Sequence, residues 1–313
     1  MIREHFSSRA ADLYFFRKKD ADFRAIICLQ KNNIGPALGG CRLRVYPSER
    51  AAVIDVIRLS RAMRDKAMAS GLQHDGGKAV ILQPAKPISR EHLFQYFAEC
   101  VDSLKGRYIT TIDSGTAAAD MAIVRRFTPH VVGYRSDDAV AHATALGVFT
   151  GIKAAIRNDN IHVAIQGVGN VGFQLAALLH ESGARLTVSD VNSVRAKRVR
   201  DAFNATIVDP DHIYDVECDV FSPCALGRII HTHTIERLRT KVIAGAANDQ
   251  LNFKKLERRL QQKGIAYVPD FIINAGGLIY LSRERDGWSE EAIQKNVLAI
   301  GDRVRHYLVK GVL

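Results

Sequence analysis

The stretch His162-Val-Ala-Ile-Gln-Gly-Val-Gly-Asn-Val-Gly-Phe173 decides the fold. Its first five residues make a short apolar run of strand type. Asn170 to Glu181 then places Val171, Leu175, Leu178 and Leu179 on one helical face. Between them lies Gly167-Val-Gly-Asn-Val-Gly172, a G-x-G-x-x-G pattern in its strand–turn–helix context. Gly167 permits the tight turn, Gly169 lets a pyrophosphate approach the backbone, and Gly172 lets the helix close on the strand. The helix N-terminus, with Asn170 and Val171, offers N–H groups and a positive dipole end to phosphates. Asp190 follows the next strand, Leu186–Ser189, where a carboxylate would accept bonds from ribose hydroxyls and repel a 2′-phosphate. That favours NAD over NADP, although Arg195, Lys197 and Arg198 follow closely and leave room for NADP. The plainer alternative is a glycine turn beside a surface aspartate.

Working outward, strands and helices alternate on both sides. Before the turn come a strand at 25–29, a helix at 50–66 with Ala52, Val56, Leu59 and Met63 on one face, and a buried strand at 79–82 stopped by Pro84 and Pro87. A helix from Ser89 to about Leu104, a strand at 107–112 and a helix at 144–157 complete that half. After the turn come strands near 220, 242 and 266 and helices at 251–262, 276–285 and 290–310. Alternation of this kind predicts an α/β chain with a parallel sheet covered on both faces. We read residues 1–140 as an α/β substrate domain and 141–285 as a Rossmann-type, doubly wound NAD-binding domain. Residues 286–313 read as a C-terminal helix packing back towards the first domain.

The 313 residues carry 44 basic and 33 acidic side chains, a formal charge of +11. Such a balance permits nucleic-acid binding without demanding it. The densest cluster, Arg195, Lys197, Arg198 and Arg200, reads as a solvated helix face, so no nucleic-acid partner is expected. No apolar run reaches the length of a membrane span, and the N-terminus lacks the apolar centre of a signal peptide. Cys28, Cys41, Cys100, Cys218 and Cys224 are too sparse for a disulfide framework, and Cys218 and Cys224 lack the spacing of a zinc knuckle. We therefore expect a cytoplasmic protein with structural thiols and no metal.

Two lysines stand apart. Lys66 ends an amphipathic helix before a small apolar stretch. Lys78 follows Gly76-Gly77 and opens a buried strand, where a partly desolvated ammonium gives up its proton more readily and can act as a general base. A second ammonium nearby would assist and bind an anionic group. The alternative is two lysines at element ends with their heads in water. Asp113 ends a predicted strand in a glycine-containing turn, the edge that faces the crevice of α/β sites, but that position equally suits a helix-entry aspartate.

These segments fall into a pattern. Gly35-Pro-Ala-Leu-Gly-Gly-Cys-Arg42, Met63-Arg-Asp-Lys66, Gly76-Gly-Lys-Ala-Val80 and Asp113-Ser-Gly-Thr116 precede Gln166-Gly-Val-Gly-Asn-Val-Gly172. Pro223-Cys-Ala-Leu-Gly227, Ala244-Gly-Ala-Ala-Asn-Asp-Gln-Leu251 and Pro269-Asp-Phe-Ile-Ile-Asn-Ala-Gly-Gly277 follow. In this order, over residues 20–310, the chain resembles the Glu/Leu/Phe/Val amino-acid dehydrogenases, closest to the leucine, phenylalanine and tryptophan branch. The resemblance implies a reversible oxidative deamination of an L-amino acid, apolar or aromatic, by NAD to a 2-oxo acid and ammonium. It implies that Lys66 binds the substrate carboxylate, that Lys78 activates the attacking water, and that Asp113 serves the substrate nitrogen. Asn274 matches a carboxylate-binding amide, Gly39 and Gly40 a backbone turn beside the substrate, and Leu38 and Thr111 pocket positions that Gly301, Val304 and Tyr307 would cap. Asn248 and Thr144 match residues near the nicotinamide. A homo-oligomer, dimer or larger, goes with the family.

The chain departs from that pattern in places. Asp75 stands where a further glycine is usual, close enough in sequence to partner Lys78 or to read a polar substrate. The loop 134–143 is short, Arg228 replaces a glycine and Tyr280 an asparagine, and the family's C-terminal helices have no counterpart before Leu313. These departures keep a second reading alive, a degenerate NAD-binding homologue with a regulatory or partner-binding role. A nucleic-acid-binding protein has only the charge behind it.

Overall fold

In the computed structural model the described residues are 2–310, less Ser136, Arg157, Asp159 and Leu226. The end of the helix expected at 157 and the Leu226 of the Pro-Cys-Ala-Leu-Gly motif lie outside them. The chain divides into two units, Met1–Asp137 and Asp138–Leu313, a division slightly before the expected residue 140.

The first unit is built on a six-stranded sheet. Its strands are β1 (Ile2–Ser7), β2 (Ala11–Lys18), β3 (Phe23–Gln30), β4 (Ala37–Arg44), β5 (Asp75–Leu82) and β6 (Tyr108–Ile112). Their order is β1-β2-β3-β5-β4-β6. The first three strands and the β3–β5 pair run antiparallel, while β4 lies parallel between β5 and β6. Helix α1 (Glu49–Ala69), opened by the Ser48 hydroxyl accepting from Ala51 N–H, covers one face. Its Ala52 and Val56 pack on Ile26, Cys28, Val80 and Leu82. Helices α2 (Arg90–Asp102) and α3 (Ala118–Arg125) cover the other face. There Phe94 and Phe97, each worth about 2–3 kcal/mol on burial, meet Tyr14, Phe16, Ile27 and Tyr108.

Of this sheet, β1, β2 and β4 escape the sequence pattern. β1 is exposed from Arg3 to Ser7, and β4 follows Pro36 and carries two glycines, both poor strand signals. Sheet neighbours on both sides hold β4 in place. A Cβ at Gly39 would stand 1.7 Å from the Gly77 carbonyl oxygen, and one at Gly40 2.5 Å from that of Ile112.

The second unit begins with α4 (Asp137–Ala155), which starts earlier than residue 144. It then alternates β7 (His162–Gln166), α5 (Asn170–Glu181), β8 (Arg185–Ser189), α6 (Ser193–Phe203), β9 (Thr206–Ile207), β10 (Glu217–Pro223), α7 (Thr232–Arg237), β11 (Arg239–Ile243), α8 (Leu256–Gln262) and β12 (Ala266–Tyr267). The strands are all parallel in the order β12-β11-β10-β7-β8-β9. This is the doubly wound arrangement with its switch point between β7 and β10. Helices α9 (Asp270–Ile273), α10 (Gly276–Asp286), α11 (Glu290–Leu298) and α12 (Ile300–Lys310) follow.

The single helix expected over 290–310 is broken at Ala299. The break lets Ile300, Gly301 and Val304, all buried, seat on α4, where Ile300 meets Gly147 and Val304 meets Gly151. Residues 286–310 group with the second unit. Gly301 and Val304 thus spend their surface on α4, and Tyr307 donates its hydroxyl to Glu257 at 2.5 Å. Among the described residues no helix is long and apolar enough to cross a membrane.

Candidate active site

Strand alternation sorts the first unit's residues by face. Leu38, Gly40 and Arg42 on β4, Gly76, Lys78 and Val80 on β5, and Thr111 with Asp113 at the end of β6 share the α1 side. Val80 packs against α1, Gly76 abuts Ser60 and Arg64 of α1, and Gly40 approaches the Asp113 Cβ. Lys66 stands half-buried in the last turn of α1. Sequence reading and structure therefore bring Lys78, Asp113, Gly40, Leu38 and Thr111 to one surface. Gly39 alternates to the other side, where its carbonyl accepts the Tyr108 hydroxyl at 2.6 Å.

The centre of that surface is an ion pair. Lys78, only 4% exposed, places Nζ 2.9 Å from Asp113 Oδ1. Arg42 Nε donates to Asp113 Oδ2 at 2.7 Å. Burial pushes the Asp113 carboxyl up, but the Lys78 ammonium and the Arg42 guanidinium outweigh it and hold the group below the ordinary carboxylate range. Asp113 is thus a carboxylate at neutral pH, a proton acceptor facing a cation. The Thr116 hydroxyl receives a bond from Asp113 N–H and itself donates to the Cys41 carbonyl, which fixes the turn carrying Asp113. Among the described residues the buried Thr111 hydroxyl has no hydrogen-bond partner.

Arg42 and its partner Asp55, with the Tyr46 and Arg58 that bond Asp55 in turn, were not singled out from sequence. They come together from β4, the segment after it and α1, and no local spacing marks them.

Asp75 is a correction. It does not partner Lys78. Three residues along a strand place the two on opposite faces, and the Asp75 carboxylate accepts from the backbone N–H groups of Asn32 and Asn33 at 3.2 and 3.1 Å. It ties down the turn before β4, on the face of the sheet away from Lys78.

In the second unit the glycine turn has the geometry its spacing implies. Gly167 has φ +88°, and a Cβ there would fall 2.5 Å from that of Ala225. A Cβ at Gly172 would fall 2.1 Å from the Gly167 carbonyl oxygen. At Gly169, the N-cap of α5, the nearest atom to a Cβ is Arg195 Nη1 at 3.9 Å, and no side chain caps the helix there. The turn is therefore closed behind and open in front, with exposed Asn170 and half-buried Val171 in the first helical turn. A dinucleotide pyrophosphate fits such a cradle.

Asp190 lies beside it and is already engaged. It accepts from Val168 N–H at 2.9 Å and Asn192 N–H at 2.8 Å, so it braces the turn and keeps only its remaining lone pairs for a ribose. The basic residues of α6 form the expected solvated face, with Arg198 lying over the Phe173 ring at 3.9 Å.

Asn274 donates its amide N–H groups to Asn248 Oδ1 at 2.8 Å and the Ala246 carbonyl at 2.9 Å, so both of its donors are used within the unit. Thr144 donates to the Val140 carbonyl at 2.8 Å and lies against Gly277, whose Cβ would meet its oxygen at 2.5 Å. The paired glycines after Asn274 thus serve close packing of α10 on α4. Arg228 holds φ +62°, a conformation glycine adopts freely. Nothing in the structure explains Tyr280.

Comparison with known proteins gives concordant results. Residues 11–130 match the family model described as Glu/Leu/Phe/Val dehydrogenase, dimerisation domain. Residues 191–307 match that of Glutamate/Leucine/Phenylalanine/Valine dehydrogenase. Leucine dehydrogenase of Thermoactinomyces intermedius is 43% identical over 303 residues, 93% of this chain and 83% of that protein. L-tryptophan dehydrogenase of Nostoc punctiforme is 43% identical over 298 residues, 92% and 84% of the two. The crystal structure of the latter superposes with a TM-score of 0.81 at 40% identity, covering 98% of this chain and 91% of that one. The hetero-hexameric glutamate dehydrogenase of Thermus thermophilus, at 21% identity and a TM-score of 0.74, shares the fold.

Proposed function

Because the chain belongs to the Glu/Leu/Phe/Val dehydrogenase family and is an amino-acid dehydrogenase, we propose that it catalyses the reversible, NAD-dependent oxidative deamination of an L-amino acid with an apolar or aromatic side chain. The products are a 2-oxo acid and ammonium. The observation that carries this reading is the buried Lys78–Asp113 pair at 2.9 Å. It is a buried proton donor–acceptor couple on the sheet surface that also carries Gly40, Leu38 and Thr111.

The dinucleotide, when bound on the Gly167–Gly172 turn, supplies the acceptor for the hydride that leaves the substrate Cα. The protein's groups do the rest. Lys66 holds the substrate carboxylate. Asp113, present as a carboxylate, accepts a proton from the substrate nitrogen. Lys78, once it has passed its proton to solvent, takes one from the water that adds to the imine carbon. Proton return from Asp113 to the nitrogen then releases ammonia, which leaves as ammonium. In the second unit Asp190 holds the turn and offers its remaining lone pairs to a ribose, which supports NAD over its 2′-phosphorylated form. Asn248 and Thr144 flank the nicotinamide, and Asn274 braces Asn248. The identity of the relatives supports leucine, tryptophan and phenylalanine as the first substrates to try. A homo-oligomer acting in the cytoplasm fits the dimerisation-domain match and five cysteines that are all free thiols.

The test is reduction of NAD and of NADP by a panel of the twenty L-amino acids, followed at the nicotinamide absorbance, with the reverse reaction run from 2-oxo acids and ammonium. Turnover of one apolar or aromatic amino acid with NAD is expected. Binding of NADH without turnover of any amino acid would overturn the reading in favour of a degenerate homologue. Asp75 bonds the backbone of Asn32 and Asn33 instead of Lys78, which takes away one of the departures behind that alternative.

A further inference from the structure

Asp113 is clamped from two sides, and only one clamp belongs to the chemistry. One oxygen faces Lys78 Nζ at 2.9 Å, the other Arg42 Nε at 2.7 Å. Arg42 is itself 14% exposed at its side chain and reaches back with Nη1 to Asp55 Oδ2 at 3.1 Å. Asp55, on α1, is held in turn by the Tyr46 hydroxyl at 2.9 Å and by Arg58 at 2.6 Å. From Lys78 to Arg58 the charges alternate in sign, each bonded to the next. Cys41 on β4 and Tyr108 on β6 also interact electrostatically with Asp113. Burial drives both well above their ordinary values, so both are neutral and add no charge.

We propose that Arg42 is a positioning residue for the proton-handling pair. It fixes the plane of the Asp113 carboxylate so that Oδ1 stays on Lys78, and Asp55, with Tyr46 and Arg58, fixes Arg42. The proposal deepens the dehydrogenase reading and rests on it for the reaction, while the geometry of the clamp does not. A carboxylate bonded through one oxygen only can rotate about its Cβ–Cγ bond. The guanidinium fork removes that freedom, because Nε and Nη1 address two different carboxylates at fixed mutual geometry. Lysine in place of Arg42 would keep the charge but lose the fork. Glutamine would lose both.

The experiment compares Arg42→Gln, Arg42→Lys and Asp55→Asn with the wild type in three measurements. These are the titration of the Asp113 carboxyl by 13C NMR in the free protein, kcat and KM for whichever of leucine, phenylalanine or tryptophan is turned over, and the NADH dissociation constant. For Arg42→Gln the Asp113 titration should move up by a pH unit or more. Its kcat should fall by about 100-fold, the scale of a misplaced catalytic group, with KM changed less than threefold and NADH affinity unchanged. Arg42→Lys should restore the titration without restoring kcat, and Asp55→Asn should fall between.

A KM that rises while kcat holds would overturn the proposal, because Arg42 would then be binding substrate. So would an Asp113 titration that does not move in Arg42→Gln. If Arg42→Gln does not fold, Arg42→Lys and Asp55→Asn decide, since a purely structural role would not split titration from kcat. If the wild type turns over none of the amino acids, the functional reading fails. The NMR titration of Asp113 still tests the clamp.

Discussion

The glycine turn makes a prediction that separates binding from folding. Gly169 has φ −69° and ψ −158°, ordinary extended backbone, and a Cβ there would meet nothing closer than Arg195 Nη1 at 3.9 Å. Gly169→Ala should therefore leave the apo protein intact. Loss of glycine's freedom in the unfolded chain should even raise stability by about 0.4–1 kcal/mol. The new methyl, however, stands where a pyrophosphate must approach the backbone. Losing one charge-assisted amide–phosphate bond, at about 1.5–3 kcal/mol, weakens NADH binding by roughly 10- to 150-fold. At Gly172 the added methyl would sit 2.1 Å from the Gly167 carbonyl oxygen. Reaching a tolerable contact means prising α5 off the turn, an overpacking cost of about 1–3 kcal/mol. Gly172→Ala should accordingly lose thermal stability and NADH affinity together. Thermal denaturation without ligand and fluorescence titration with NADH read the two quantities. Wild-type NADH affinity in Gly169→Ala would refute the argument, since the phosphates would then not lie on the open side of the turn.

Two other substitutions test the departures from the family pattern. Asp75→Ala removes two backbone bonds to a buried carboxylate and should cost about 2–4 kcal/mol in denaturant unfolding. It should leave the pH–rate profile in place, and a shifted profile at unchanged stability would restore a role for Asp75 at Lys78. Arg228→Gly relieves a left-handed arginine and should gain about 0.5–1 kcal/mol, the conformational strain less the entropy glycine returns to the unfolded chain. A lower melting temperature would show that the Arg228 side chain contributes more than its backbone costs.

What could be read from sequence was what a local pattern encodes. Each glycine of the 167–172 turn answers to a neighbour within a few residues or to the next strand end, so its role follows from spacing. Lys78 and Asp113 could be picked out because each sits at the boundary of a recognisable strand. Arg42 could not. Its partners lie 13 and 71 positions away, and its strand, broken by Gly39 and Gly40, does not look like one. Asp75 was misplaced because nearness in sequence was taken for nearness in space. In an extended strand an odd offset reverses the face. The break at Ala299 was missed because both flanking segments are good helices, and only the surface of α4 requires the bend.

The order β1-β2-β3-β5-β4-β6 also bears on how the first unit folds. β1, β2 and β3 pair with their neighbours in the chain, closures that need only short loops. β4 must instead slot between two strands that follow it, and the bond from Arg42 to Asp113 spans 71 residues. Pairings of such separation carry the largest loop-closure cost and form slowly. The Lys78–Asp113 pair, proposed to handle the protons, is therefore expected to form late in the assembly of the sheet. A chain that has its hairpins but not the β5–β4–β6 insertion lacks the contacts of Asp113 with Arg42 and Lys78, so on the proposed mechanism an unfinished first unit turns nothing over.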